Sequence, residues 1–275
     1  MNGEKIINIA LVGQPNVGKS VIFNNLTGLH QHTGNWAGKT IEKFEGTLYY
    51  KGYTINIFDL PGIYSLSTYS VEEIISREYI VHQKPDCVIN IIDSTNLERN
   101  LIFTLQLLEL ECPVVIALNM TDLAKKKGII VDDKKLQSLL NIPVIPTIAT
   151  HGLGLTDLMD RVIEQINENR EKPKVQFYTE EIEDSVNKIT SLLKDSDFAY
   201  PIRWVAIKLL EKDKEFIKIT GEKNPDAYNL ALQITKDLET TNGHDSSILI
   251  ADRRTSYASQ IANNVVTVSR ARKIL

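Results

Sequence analysis

Residues 13–20 read Gly-Gln-Pro-Asn-Val-Gly-Lys-Ser, which matches the phosphate-binding pattern G-x-x-x-x-G-K-[ST]. An apolar run over residues 6–12 predicts a buried strand before this loop, and the apolar spacing after it predicts a helix. In that setting, backbone N–H groups and the helix N-terminus form a cradle for phosphate oxygens. We expect Lys19 to reach the β- and γ-phosphates and the Ser20 hydroxyl to ligate Mg²⁺. The predicted phosphate-binding residues are Gly13, Gln14, Pro15, Asn16, Val17, Gly18, Lys19 and Ser20.

The composition is that of a globular protein with room for one large or two ordinary domains. The chain has 275 residues, of which 43% are hydrophobic and 24% charged. A net charge of −4 argues against a nucleic-acid surface, because phosphate contacts need clustered Lys and Arg. Cys87 and Cys112 lie in apolar runs, which predicts buried reduced thiols. No signal peptide or apolar run of about 20 residues is apparent, so we expect a soluble chain.

A second apolar run ends in a segment suited to guanine recognition. Residues 113–118 predict a parallel strand, and the Asn-Met-Thr-Asp that follows at 119–122 resembles the [NT]-K-x-D motif of guanine-nucleotide-binding proteins. We expect Asp122 to accept hydrogen bonds from N1–H and the exocyclic amine of guanine, which adenine cannot donate there. Asn119 should tie this segment to the phosphate loop, and Met120 should cover the base in place of the usual Lys. A helix cap is the alternative role for Asp122.

The last predicted strand runs into a loop that could complete the base site. Residues 144–150 read Val-Ile-Pro-Thr-Ile-Ala-Thr. By similarity to the translation-factor and Ras-like GTPases that carry the [NT]-K-x-D motif, the backbone N–H of Ala149 or Thr150 should meet guanine O6.

The second switch is predicted at the end of the strand over residues 54–58. Asp59 and Gly62 fit the D-x-x-G pattern. We expect Asp59 to hold Mg²⁺ through a water and the Gly62 N–H to contact the γ-phosphate. Ile63 follows, at the position where Ras-like enzymes carry a water-orienting Gln. Another group must therefore orient the attacking water and offset the charge that develops between the β- and γ-phosphates.

The first switch is predicted as a glycine-containing loop over residues 33–40, between the first helix and a strand over residues 41–50. A threonine in such a loop closes over Mg²⁺ when the γ-phosphate is present. We choose Thr40 over Thr33, because Thr40 directly precedes the strand. Lys39 could reach the γ-phosphate, and a solvated exposed lysine is the alternative.

These loops follow one another in the order expected of a GTPase, and three of them lie at the carboxyl ends of predicted strands, where open α/β sheets bind ligands. We therefore predict an α/β P-loop GTPase fold with a mostly parallel sheet, followed by a small all-α helical domain. GTP and GDP are the expected ligands. The residues expected from these motifs to act in hydrolysis are Lys19, Thr40 and Gly62.

Several motifs together resemble the FeoB family of bacterial ferrous-iron transporters. The segments concerned are Gly-Gln-Pro-Asn-Val-Gly-Lys-Ser at 13–20, Gly-Asn-Trp-Ala-Gly-Lys-Thr-Ile-Glu at 34–42, Asp-Leu-Pro-Gly-Ile-Tyr-Ser-Leu at 59–66 and Asn-Met-Thr-Asp at 119–122. The resemblance covers about residues 5–170 with dense motifs and, more loosely, the helical stretch after them. It implies a membrane domain after this region and a place at the cytoplasmic face of the cell membrane. Ala37 and Lys39 depart from the family pattern, which leaves the resting conformation of the first switch open.

The resemblance also implies a K⁺ ion, ligated in part by Asn16, that replaces an arginine finger. The alternative is that Asn16 only hydrogen-bonds its own loop. Arg77 and Arg99, the arginines nearest the switches, lie in helix-like segments and are not expected to act as fingers. Without a strong base, turnover should be slow, as suits a switch.

After residue 169 the pattern becomes helical. Residues 171–174 predict a linker, and helices are predicted to begin at Thr179, Pro201, Asn224 and Asp245. We expect these four helices to form a small bundle. The resemblance implies a helical domain that favours bound GDP, and a passive spacer is the alternative. The predicted division is a GTPase domain at 1–170 and a helical domain at 171–275.

Two main function classes follow. The first is a GTPase switch that regulates or drives iron passage through an attached membrane domain. The second is a soluble ribosome- or tRNA-associated GTPase whose helical part is an RNA adaptor. The acidic balance and the lack of an RNA-binding signature favour the first, without nucleic acid as a partner. A non-catalytic GTP-binding module is a third alternative, and the oligomeric state, a homo-oligomer included, is left open.

Overall fold

Nine strands and eleven helices form the part of the chain that the computed structural model describes, residues 5–28, 30–36, 38–67, 70–168 and 177–269. The strands are β1 (Lys5–Gly13), β2 (Gln31–Asn35), β3 (Glu42–Tyr50), β4 (Tyr53–Asp59), β5 (Cys87–Asp93), β6 (Val114–Asn119), β7 (Ile129–Val131), β8 (Val144–Pro146) and β9 (Val266–Val268). The helices are α1 (Lys19–Thr27), α2 (Val71–Glu78), α3 (Leu97–Glu109), α4 (Thr121–Lys126), α5 (Asp133–Leu140), α6 (Leu155–Asn167), α7 (Glu180–Leu193), α8 (Ile202–Leu210), α9 (Lys214–Lys223), α10 (Pro225–Asn242) and α11 (Ser246–Val265). Short 3₁₀ turns occupy Ser94–Asn96 and Ala149–His151, and a π-helical turn over Tyr79–Gln83 continues α2.

The central sheet has seven strands in the order β2-β3-β4-β1-β5-β6-β8. Neighbours from β4 to β8 pair in parallel, and β3 pairs antiparallel with both β2 and β4. This arrangement confirms the predicted mostly parallel α/β sheet. The carboxyl ends of β1, β4 and β6 therefore lie along one edge, which brings the loops after them together.

The parallel strands β1, β5 and β6 are buried on both faces of the sheet, as the long apolar runs in them predict. Along β1, Ile9 and Leu11 pack on the side of α1 and α6, whereas Ala10 and Val12 pack on the side of α3. The two faces alternate because successive strand side chains point in opposite directions. The α3 side continues into the core of the helical part, where Trp204 of α8 is fully buried.

The four predicted helix starts are confirmed. Helices α7, α8, α10 and α11 begin directly after Thr179, Pro201, Asn224 and Asp245. The Asn224 side chain accepts a hydrogen bond from the Ala227 N–H at 2.9 Å, and Asp245 caps α11 in the same way. Thr179 occupies the N-cap position of α7 without a side-chain cap hydrogen bond, so acidic residues in the first turn are its favourable feature.

The prediction of four helices in this part is wrong, because residues 177–269 contain five. The additional helix, α9, begins at an Asp213 cap whose carboxylate accepts from the Glu215 and Phe216 N–H groups. It buries only Phe216 and Thr220, of which one is polar. A helix with so small an apolar face leaves a weak periodic signal in the sequence.

A second two-stranded sheet, also not predicted, joins the two parts of the chain. Strand β9 follows α11 and pairs antiparallel with β7, with Ile130 opposite Thr267. The Ser269 N–H donates to the Gly128 carbonyl at 2.8 Å and extends the pairing. The predicted linker at 171–174, and with it the predicted domain boundary, lies outside the described residues.

A buried ion pair also connects the two parts. Arg254 of α11 donates to the Glu109 carboxylate of α3 at 2.9 Å, and both side chains are buried. Arg254 also pairs with Glu211 at 2.8 Å, and the Tyr178 hydroxyl donates to Glu109. Burial opposes ionisation of Glu211, but Lys208 and Arg254 overcome it and lower its pKa to about 2.

Cys87 and Cys112 are buried and form no disulfide, as predicted, and burial raises the pKa of the Cys87 thiol well above its usual value. Among the described residues, no helix combines the length and apolar character needed to cross a bilayer.

Candidate functional site

The phosphate loop bridges the end of β1 and the start of α1, as predicted. Asn16 and Gly18 both have positive φ angles, of 68° and 93°. A Cβ atom on Gly18 would lie 2.3 Å from Nδ2 of Asn119, so only glycine fits here. Helix α1 then begins at Lys19, which aims its N-terminal N–H groups at the loop, with Ser20 exposed.

Lys19 and Asp59 form an ion pair at the edge of the sheet. The Lys19 ammonium donates to Oδ1 of Asp59, and the exposed fractions of the two side chains are 12% and 6%. Burial raises the pKa of the Asp59 carboxyl above its usual value, although Lys19 acts in the opposite direction. The structure thus brings together the predicted phosphate-binding lysine and the predicted Mg²⁺-binding carboxylate.

The second switch packs directly against the phosphate loop. The Ile63 N–H donates to the Gly13 carbonyl at 3.2 Å. A Cβ atom on Gly62 would lie 3.4 Å from the Pro15 backbone, so the two loops are in close approach. The Ile63 side chain is only 2% exposed, which keeps it away from any water at the site.

Asn119 links the loops of the site through hydrogen bonds. Its Nδ2 donates to the Val17 carbonyl at 2.9 Å, which is the predicted tie to the phosphate loop. Its Oδ1 accepts from the Ala149 N–H at 3.0 Å and from the Thr147 hydroxyl at 3.2 Å. The Ser94 hydroxyl donates to its main-chain carbonyl at 2.5 Å. One buried side chain therefore sets the position of the phosphate loop relative to the loop after β8.

Asp122 lies in the first turn of α4, three residues after Asn119. The N-cap position of α4 is taken by Met120 with φ 61°, so the helix-cap alternative for Asp122 is wrong. The Met120 methyl carbon lies 3.9 Å from the position of a Cβ on Gly18. The Asp122 side chain is 33% exposed, and the Lys126 ammonium is 3.8 Å away. Its carboxylate is therefore accessible.

The loop after β8 corrects one expectation. The strand ends at Pro146, and Ala149–His151 forms a 3₁₀ turn. Because the Ala149 N–H already donates to Asn119, it is not available for guanine O6. Of the two candidates, the exposed Thr150 is left.

The first switch is a hairpin rather than the predicted loop. Residues 33–35 belong to β2, and Thr33 stands opposite Phe44 of β3. The chain turns between Trp36 and Ile41, where the Trp36 N–H donates to the Ile41 carbonyl at 2.9 Å. Thr40 lies exposed in this turn, outside the strand ladder that holds Thr33. Lys39 is also exposed, and Ala37 lies outside the described residues.

An aromatic contact anchors this hairpin. The half-buried Trp36 ring meets Tyr79 edge to face at 5.4 Å, directly after α2, and the Lys43 ammonium lies 5.7 Å from the indole. The first switch thereby contacts the π-helical turn that continues α2, the helix after the second switch.

Neither nearby arginine is placed as a finger. Arg77 is fully buried and pairs with Glu215 of α9 at 2.9 Å. Arg99 lies in α3, and its guanidinium covers the Tyr64 ring at 4.6 Å. Both arginines lie in helices, as expected.

Sequence reasoning missed three residues that hold the site together: Ser94, Thr147 and Asn25. Ser94 and Thr147 bind Asn119, and Asn25 of α1 binds the Ala149 carbonyl at 3.0 Å. Asn25 and Ala149 are 124 residues apart, so only the fold relates them.

Comparison with known proteins places the chain in a family. A family model for "Ferrous iron transport protein B" matches residues 7–162. The chain belongs to the FeoB family. A second model, for the FeoB cytosolic helical domain, matches residues 178–267. The order of the two domains supports the transporter-related function class and not the ribosome- or tRNA-associated alternative.

Relatives and solved structures agree with FeoB membership. The chain is 41% identical over 263 residues to an Fe(2+) transport protein A/Fe(2+) transporter FeoB fusion protein of Porphyromonas gingivalis, covering 92% of this chain and 31% of that protein. It is 45% identical over 227 residues to the Fe(2+) transporter FeoB of Methanocaldococcus jannaschii, covering 82% and 33%. The GDP-form cytosolic domain of the T. maritima FeoB iron transporter superposes with a TM-score of 0.83 at 34% identity, covering 97% of this chain and 100% of that one. The chain thus spans about a third of the length of these FeoB transporters.

Proposed function

We propose that this chain binds GTP and GDP and hydrolyses GTP slowly, as the nucleotide-dependent part of a ferrous-iron transporter. The observation that carries the proposal is the Asn119–Val17 hydrogen bond, because it sets the Asp122 segment beside the phosphate loop. That spacing suits a nucleotide whose base and phosphates are held at once. FeoB cytosolic domains of T. maritima have been solved in GDP and GMPPNP forms, which supports the same ligand class.

In this proposal Lys19 neutralises phosphate oxygens and Asp122 accepts from the guanine edge. Thr150 contacts O6 through its backbone N–H, and Gly62 contacts the γ-phosphate. The remaining members of the nucleotide site are Gly13, Gln14, Pro15, Asn16, Val17, Gly18, Ser20, Asp59, Asn119, Met120 and Ala149. Ala149 contributes through its hydrogen bond to Asn119.

The donor chemistry fits two cations. Ser20 at the start of α1 and Asp59 at the end of β4 offer the hard oxygen ligands that Mg²⁺ prefers, with Thr40 in a turn free of the ladder. Asn16, exposed in the phosphate loop, offers a side-chain carbonyl to K⁺. A K⁺ ion there would supply positive charge against the charge developing on the transferred phosphoryl group.

GTP hydrolysis should be slow, because the described residues place neither a water-orienting side chain after Gly62 nor an arginine finger at the transferred phosphoryl group. Ile63 can neither accept a hydrogen bond from water nor polarise it, and it is buried. Arg77 is committed to Glu215 and Arg99 stacks on Tyr64. The chain's own contribution is therefore to bind and orient the nucleotide.

The wider role rests on family membership. We propose that residues 1–170 form the GTPase domain and residues 171–275 the helical domain. The partner is then a membrane domain of the full-length protein, at the cytoplasmic face of the cell membrane, with no nucleic acid partner. GTP binding or hydrolysis would regulate or drive Fe²⁺ passage.

The test is a change of base specificity at Asp122. Asp122→Asn should weaken the binding of GTP and GDP by about 3 kcal/mol or more. The guanine N–H groups would lose the charged oxygen that accepts from them in the bound state. Xanthine nucleotides, which carry a carbonyl where guanine has its amine, should recover binding. Titration calorimetry with GDP and XDP, and phosphate release from GTP and XTP, measure the change.

Asp226→Asn is the matched control, because Asp226 occupies the second position of α10 as Asp122 does in α4. Asp226→Asn should leave the affinities for GDP and GTP unchanged. Unchanged GDP affinity in Asp122→Asn, or equal effects of the two substitutions, would remove guanine recognition from Asp122.

A further inference from the structure

Asn25, on the outer side of α1, makes a contact outside the family motifs. Its Nδ2 donates one hydrogen bond to the Val21 carbonyl on its own helix at 2.8 Å and another to the Ala149 carbonyl at 3.0 Å. Both protons of the amide are therefore used. The side chain is exposed, so it adds little to the core and its role must lie in these two bonds.

The Ala149 residue is held from both sides. Its N–H donates to Oδ1 of Asn119 at 3.0 Å, and its carbonyl accepts from Asn25 and from the Gly152 N–H at 3.1 Å. In a planar trans peptide the carbonyl and the following N–H point in opposite directions. Fixing the Ala149 carbonyl toward α1 therefore turns the Thr150 N–H away from α1.

We propose that Asn25 is a positioning residue for base recognition: by holding the Ala149 carbonyl, it directs the Thr150 N–H toward O6 of a bound guanine. This inference rests on the proposed function, since it deepens the account of the same site. In this proposal Asn25 does not itself contact the base. It acts through the Ala149–Thr150 peptide, whose carbonyl without Asn25 would keep the Gly152 N–H as its partner but lose its link to α1.

Substitution of Asn25 should weaken nucleotide binding by about the worth of one neutral hydrogen bond, the one from the Thr150 N–H to guanine O6. Asn25→Ala removes the donor to the Ala149 carbonyl and should lower the affinity for GDP about threefold to tenfold. Asn25→Asp keeps the shape but faces two carbonyl oxygens with a carboxylate, so its effect should be at least as large. Asn24→Ala is the matched control, because Asn24 is the neighbouring exposed asparagine of α1 and its side chain accepts from Gln31 instead.

The experiment compares GDP with 6-thio-GDP by titration calorimetry on the whole chain. The 6-thio compound keeps N1–H and the 2-amine but replaces O6 with sulfur, a weak acceptor. Wild type should prefer GDP, and Asn25→Ala should lose most of that preference by weakening GDP while changing 6-thio-GDP less than about twofold. Asn24→Ala should keep the wild-type preference. Thermal unfolding of each variant verifies that it is folded.

Two results would overturn the inference and leave the proposed function standing. One is an equal loss for GDP and 6-thio-GDP in Asn25→Ala, which would mean that Asn25 only stiffens the loop. The other is an Asn25→Ala protein indistinguishable from Asn24→Ala. Failure of the wild-type chain to bind GDP would overturn both the inference and the proposed function.

Discussion

Replacing Gly18 with alanine tests the contact between the phosphate loop and the base-reading segment. The residue has φ 93°, and an added Cβ would lie 2.3 Å from Nδ2 of Asn119. Asn119 must then move, and its hydrogen bond to the Val17 carbonyl is lost. Because the same side chain also holds Ala149, we expect the disturbance to reach the base site.

The magnitude has two parts. Alanine in the left-handed region costs about 1–2 kcal/mol. The lost Asn119–Val17 hydrogen bond adds about 0.5–1.5 kcal/mol. Gly18→Ala should therefore destabilise the protein by about 1.5–3.5 kcal/mol and weaken GDP binding by about tenfold or more.

Gly52→Ala separates the two parts. Gly52, in the turn between β3 and β4, has φ 81° and no atom within 4 Å of an added Cβ. It should show the backbone strain alone and leave GDP affinity unchanged. Urea denaturation gives the stabilities and titration calorimetry gives the affinities. Equal losses of stability in the two variants, with GDP binding retained in Gly18→Ala, would refute the role assigned to the Gly18–Asn119 contact.

Three further predictions concern the phosphates, the cations and the contact between the two parts. Lys19→Ala should weaken both GTP and GDP, whereas Thr40→Ala should spare GDP affinity and slow phosphate release; equal losses of GDP affinity would show that the first switch is misassigned. Phosphate release should be faster in K⁺ than in Na⁺ at equal ionic strength, and Asn16→Ala should abolish the difference with GDP binding largely intact; equal wild-type rates in the two salts would refute the K⁺ mechanism. The lowered pKa of Glu211 implies stability that is complete above its ordinary pKa of 4.5 and is lost as the pH falls toward about 2. Glu211→Gln should flatten the acid side of the thermal stability profile, and an unchanged profile would contradict the prediction.

The part of the site carried by local motifs could be predicted from the sequence. The phosphate loop and the Asn119 segment follow strands whose apolar runs are unmistakable, and parallel strands bring their carboxyl ends together. The tie from Asn119 to the phosphate loop follows from the same topology.

What could not be predicted depends on contacts between distant segments. Strand β2 has exposed side chains and no apolar alternation, so only its ladder with β3 defines it. Strand β9 continues the apolar pattern of α11 and becomes a strand only because β7 lies beside it. The Ala149 N–H looked available in the sequence, and its hydrogen bond to Asn119 appears only in the folded chain.

The chain contains two tryptophans, and the fold places them in different surroundings. Trp36 lies half-buried in the first-switch hairpin against Tyr79, whereas Trp204 is fully buried in α8. An indole held at the surface emits at longer wavelength than one in a dry core. Intrinsic fluorescence therefore carries two separable signals, the red component from the hairpin and the blue component from the helical core. In a Trp204→Phe background, emission would follow the hairpin alone as nucleotide is added, without any attached dye.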